Sequence, residues 1–238
     1  MKTMMMTDLI TSKTYLVSQT LVSFAVAVFM TLVMGNLYVI LPVIGCMVPF
    51  SLVLTLLAYD ERNGWERFRL TLPLSRNQVI SGRYMSGLVL TVGSALFAAL
   101  LFGVCVVLFS ALIGVAPLSE DLVFQLQNLD WQAMLVIFIA PVVLSLLFFM
   151  IIFPLAARFG LTKSIRLIPL AIFALFMLGM LGFQSTGSTL PPFIMDFIAW
   201  AMLPEGTVII IVSALVIALV LYIASCFIAT RVYTRREL

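Results

Sequence analysis

Histidine, the commonest general base and metal ligand among side chains, is absent from this chain. Three cysteines, Cys46, Cys105 and Cys226, each lie inside an apolar run, and none has a second cysteine at the short spacing of a metal or redox site. They read as small buried hydrophobes. Intramembrane proteolysis or acyl transfer would need paired carboxylates, a serine with histidine, or a metal cluster, and none can be assembled from the apolar runs. The string Gly160-Leu161-Thr162-Lys163-Ser164 resembles part of a phosphate-binding loop, but it lacks the glycine directly before lysine and the required spacing. It reads as a turn with anchoring cations. The residues thus predict no catalytic, cofactor-binding or metal site in this chain, and they single out no substrate-binding residue.

The elements that carry these residues are set by the solvent the chain requires. Of its residues 63% are hydrophobic and 10% charged, and the mean hydropathy is +1.23. Soluble domains are about 45–50% apolar and about 25% charged, so this chain needs lipid around it. A helix crosses the hydrocarbon core with about 20 apolar residues. Six stretches qualify: Tyr15 to Met34, Leu37 to Tyr59, Val79 to Leu112, Trp131 to Ala157, Leu167 to Gly182, and Thr207 to Thr230. Gly35-Asn36 between the first two predicts a tight turn and a helical hairpin. The third stretch would reach about 51 Å at the helical rise, so its first turns are expected to protrude. Gly103, Gly160 and Gly182 are candidates for close helix approach. The expected fold is an all-α polytopic membrane protein, a single transmembrane domain over residues 1–238.

Orientation follows from lysine and arginine. With six crossings, all 13 basic residues fall on one side. The opposite side carries only acids: Glu120, Asp121, Asp130, Asp196 and Glu205. The basic side is the cytoplasmic one, which places both termini there and argues for a multi-pass membrane protein. The first apolar run is as long as a full crossing and lacks a cleavage site on its outer flank, so it reads as a span and not as a signal peptide. The net charge of +3 gives no support to nucleic-acid binding.

Gradient-driven transporters place ionisable side chains inside the membrane to bind or relay the coupling ion. Here Thr14 to Tyr59, Tyr84 to Ser119, Trp131 to Ala157, Leu167 to Met195 and Gly206 to Thr230 contain no Asp, Glu, Lys or Arg. Energy for uphill movement must then come from another chain.

The most informative stretch runs from Asp60 to Gln78. Trp65, Phe68 and Leu72 recur at i, i+3 and i+7 with Glu66, Arg67 and Arg69 between them, the pattern of a short helix lying on a membrane or partner surface. Pro73 stops it, and Ser75 with Gln78 forms a capping box for the third span. On periodicity alone the segment reads first as an interfacial anchor. The order acidic-x-x-Gly-aromatic, then Leu72-Pro73-Leu74-Ser75-Arg76, then Gly82-Arg83-Tyr84, between the second and third spans, resembles the membrane subunits of ABC-2 type exporters. The resemblance covers about 25 residues by motif and the rest by topology, with Arg83 standing where a lysine is expected.

That resemblance implies that Glu61, Gly64, Trp65, Leu72, Pro73 and Arg76, with Phe68 on the same helix face, form a coupling helix that docks on a cytoplasmic ATPase. It further implies two ATPase subunits per complex holding ATP and Mg, and a second permease, identical or paralogous. The chain itself would not be an enzyme. Residues 2–13 could be an amphipathic elbow or a frayed terminus. Phe193 to Trp200 resembles the external interfacial or re-entrant helix before the last span. Apolar, aromatic and small residues along the spans suggest a hydrophobic or amphipathic cargo, such as a peptide, an antimicrobial or a lipid-like molecule, carried outward. The alternatives are a gradient-driven secondary transporter and a membrane sensor or scaffold that binds a partner without moving anything.

Overall fold

The computed structural model describes residues 2–62, 76–113, 119–160 and 192–234, and among these every regular element is helical. In order they are α1 (Lys2–Met34), a 3-10 turn (Leu37–Val39), α2 (Ile40–Arg62), α3 (Arg76–Leu112), α4 (Glu120–Gln127), α5 (Trp131–Phe159), α6 (Pro192–Ala201) and α7 (Pro204–Thr234). In a bilayer a helix satisfies all its own backbone groups, which is why an apolar chain of this kind takes that form. Five of the described helices are long and apolar enough to cross a membrane: Tyr15–Met34, Leu37–Arg62, Asn77–Leu112, Trp131–Phe159 and Pro204–Tyr233. The expected crossing at Leu167 to Gly182 lies outside the described residues.

Gly35 makes the expected turn with φ +61°, and a side chain there would press into Ser119. Asn36 then caps the next turn, its Oδ1 accepting from the Tyr38 N–H at 3.0 Å. α1 and α2 therefore pack as a hairpin. α5 starts where Asp130 Oδ1 accepts from the Gln132 and Ala133 N–H groups, the usual device for the orphan donors of a helix N-terminus.

Polar contacts tie the elements together at two opposite ends. At one end the Leu37 N–H donates to Gln125 Oε1 at 2.9 Å, the Asp130 N–H donates to the Tyr38 hydroxyl at 2.9 Å, and Gln132 Nε2 donates to the Met202 carbonyl at 2.9 Å. Glu120, Asp121, Asp130 and Glu205 belong to this end, which we term the acidic end. At the other end meet the start of α1, the end of α2, the start of α3 and the ends of α5 and α7, with Arg62, Arg83, Arg158 and Arg231; this is the basic end.

Two expectations change. The first residues of the chain are no separate elbow: α1 is continuous from Lys2, and Asp8 is 2% exposed. The close helix approaches are not at Gly103, where a Cβ would meet nothing within 4 Å. They are at Gly45, whose Cβ would lie 2.9 Å from Pro141 Cβ, and at Gly87, whose Cβ would lie 3.1 Å from both Phe153 Cζ and the Tyr222 hydroxyl. Gly182 lies outside the described residues.

The core sits between α2, α3, α5 and α7, with Phe149, Ile44, Leu52, Leu146 and Ile152 fully buried. Pro154 inside α5 has no N–H for the Met150 carbonyl one turn earlier. Ser225 on α7 fills that role, its hydroxyl donating to the Met150 carbonyl at 2.7 Å. The Tyr84 hydroxyl lies 2.8 Å from the same Ser225 oxygen, and the Tyr222 hydroxyl donates to the Tyr84 carbonyl at 2.6 Å. In lipid no water replaces a lost partner, so Ser225→Ala should cost about 1–2 kcal/mol, the upper part of the range for interhelical hydrogen bonds in membranes. Unfolding in detergent against a denaturant series would show it, and a variant as stable as wild type would mean that the carbonyl is satisfied in another way.

Candidate functional site

The basic end gathers the ends of four helices around a cavity of about 90 Å³. α2 supplies Asp60 and Glu61, α3 supplies Arg83 and Tyr84, α5 supplies Phe153 and Gly160, and α7 supplies Tyr233. Gly160 ends α5 with φ +79°, a backbone conformation that disfavours other residues. The Glu61 carboxylate lies against it, about 3.6 Å from where a Cβ would stand. The end of α2 is thereby held beside the end of α5.

Arg83 is the centre of charge here. Its guanidinium forms an ion pair with Asp60 and approaches Asp8 at 3.8 Å. The side chains of Arg83, Asp8 and Asp60 are only 13%, 2% and 15% exposed. Ser86 Oγ lies 3.3 Å from Asp8 Oδ2, completing a polar cluster among α1, α2 and α3. Nearby, the hydroxyls of Tyr15 on α1 and Tyr59 on α2 are in contact, with ring centroids 5.3 Å apart. Removing such charges from water is costly, and the mutual pairing offsets that cost only when all partners are present.

Of the residues expected to couple to a partner, Glu61 stands exposed in the last turn of α2 and Arg76 is the first residue of α3. Both helix ends point to the basic end, so the stretch between them starts and finishes there. Gly64, Trp65, Phe68, Leu72 and Pro73 lie outside the described residues, as does Ser75, the expected cap of the third span. Sequence reasoning missed the roles of Asp8 and Asp60. Their signal was weak: an acid among the first turns of an apolar helix, and an acid at the end of another, with no local feature naming Arg83 as the shared partner.

Long apolar helices with charges sorted to two ends define a multi-pass membrane protein. The family described as ABC-2 family transporter protein matches residues 3–234. The chain belongs to that family, as the membrane permease component of an ABC transporter, and membership implies an ATP-binding partner. Neither a curated protein nor a solved structure shows significant similarity to it.

Proposed function

We propose that this chain is the permease subunit of an ABC exporter that moves a hydrophobic or amphipathic substrate outward, with a separate ATPase docked on the segment from Glu61 to Arg76. The observation that carries this reading is the family match over residues 3–234, joined to the emergence of that segment from the basic end of the bundle. Basic residues mark the cytoplasmic side, which is where ATP and Mg are available to a partner.

Six crossings suit the chain path. Gly160 is at the basic end beside Glu61, whereas Ala201 and Met202 are at the acidic end beside Gln132 and Thr207. The ten-residue α6 adds only about 15 Å to that position. These positions support a sixth crossing between α5 and α6, for which the sequence offers the apolar run Leu167 to Gly182. An even number of crossings puts both termini on one side, and the basic residues make that side the cytoplasm. α6, with Met195, Phe197 and Trp200 exposed, is the external interfacial helix, its aromatic residues at the headgroup level.

Two such permeases and two ATPases would form the complex. ATP-driven closure of the ATPase pair moves the Glu61 to Arg76 segments and rocks the attached helices, opening a route between the permeases. Alanine at both Glu61 and Arg76 is expected to detach the ATPase during co-purification, or to leave ATP hydrolysis running without transport. Unchanged binding and unchanged coupling would remove this segment from the interface.

A further inference from the structure

Residues Asp60 and Arg83 flank the stretch 63–75 in sequence, one on α2 and the other on α3, and they are paired to each other. The same guanidinium reaches Asp8 on α1. Asp8 faces into the bundle at 2% exposure, while Met6 and Ile10 beside it on the same helix are 56% and 72% exposed. A helix end that merely lay on the bilayer surface would turn its acid to water and its apolar residues to the lipid. Here the acid is turned inward, to a cation on another helix.

Apolar seams between helices in a membrane are held by packing, without the hydrophobic driving force that water supplies. A buried ion cluster does not slide, because separation strands charges away from water and away from each other. Along most of its length α1 meets α2 and α3 through apolar and small residues such as Phe24 and Ala27. Among the described residues the ionic contact of α1 is confined to the basic end.

We infer that Asp8, Arg83 and Asp60 form a joint that makes α1 move as one body with α2 and α3, so that displacement of the stretch between α2 and α3 is passed on to the first helix. Asp8 and Arg83 are positioning residues in this scheme. The inference rests on the coupling role proposed above for the Glu61 to Arg76 segment.

The test uses the permease purified with its ATPase and reconstituted in liposomes, with Cys46, Cys105 and Cys226 replaced by alanine. Spin labels replace the exposed Lys13 on α1 and Asn77 on α3, the doubly labelled chain being diluted into unlabelled permease. A separate sample labelled at Asn77 alone reports the distance between the two permease copies. Distances are read without nucleotide and after trapping with ATP and vanadate. In otherwise unchanged protein the Asn77 distance between copies should shift on trapping while the Lys13 to Asn77 distance stays constant. With Asp8→Asn the Lys13 to Asn77 distance should broaden and become dependent on nucleotide, with the shift between copies retained.

A Lys13 to Asn77 distance that changes on trapping in the unaltered protein overturns the joint, and this comparison decides the matter even if Asp8→Asn fails to assemble. An Asp8→Asn protein that keeps the constant distance overturns it as well. If no ATPase accompanies the permease, or if the distance between copies ignores nucleotide, the coupling reading itself fails and the joint falls with it.

Discussion

Arg83→Met is expected to lower the stability of the bundle by about 3–5 kcal/mol, the loss seen when one partner of a buried ion pair is removed. The change takes their shared cation from two carboxylates, Asp8 at 2% and Asp60 at 15% exposure. Asp8→Asn should cost less, since the Arg83–Asp60 pair survives it. Replacing all three together, Asp8→Asn with Arg83→Met and Asp60→Leu, should recover most of the loss, because a buried ion cluster contributes little net stability over well-packed neutral residues. Unfolding midpoints in detergent for the single, double and triple variants give the coupling directly. Arg83→Met as stable as the unaltered protein would mean that the cluster is solvated and not buried.

Which parts of this architecture could be read from residues alone depends on the range of the interactions that set them. Spans are local: α5 runs from Trp131, where Asp130 caps it, to Phe159, close to the limits that apolar length implies. The Gly35-Asn36 turn is local too, a glycine at positive φ followed by a capping amide. The sorting of charge onto two ends follows once those turns are fixed. α4 went unforeseen because its eight residues are too few to show a period, although Ser119 with Glu120 and Asp121 is a fair start signal for a helix.

The polar joints were not legible, and the reason is separation along the chain. Asp8 and Ser86 are 78 positions apart, and Ser225 and the Met150 carbonyl are 75 apart. No periodicity carries such pairings. Proline gave half of one: Pro154 announces that a carbonyl one turn back lacks its donor, but not which helix will supply a hydroxyl. Small residues were similarly ambiguous, since Gly103 and Gly45 look alike in sequence and only the packing tells which of them touches a neighbour. Of the candidate site, the structure describes the boundary residues Glu61 and Arg76, while the motif between them, singled out by resemblance, lies outside the described residues.

That difference between glycines yields the second large effect. Gly45→Leu should cost more than the about 1–3 kcal/mol typical of overpacking, because the atom in the way is part of a proline ring in the middle of α5. A Cβ at Gly45 would stand 2.9 Å from Pro141 Cβ, closer than side chains tolerate, and a pyrrolidine ring has no rotamer by which to retreat. The helices must part. Parting them loosens the Phe50–Phe148 stack, centroids 4.5 Å apart, and the contact of Phe50 with the fully buried Phe149. Lipid can occupy the gap but does not restore the close packing that holds helices together in a bilayer. Gly103→Leu is the control: nothing lies within 4 Å of its Cβ, and removing a helix-interior glycine should leave α3 unharmed or stabilise it by up to about 1 kcal/mol. The two leucine variants add the same side chain to the same kind of helix. A Gly45→Leu unfolding midpoint no lower than that of Gly103→Leu would show that α2 and α5 do not approach at Pro141. A lowered midpoint together with weakened transport would instead show that the angle of α2, which carries Asp60 and Glu61 at its basic end, is set by this contact.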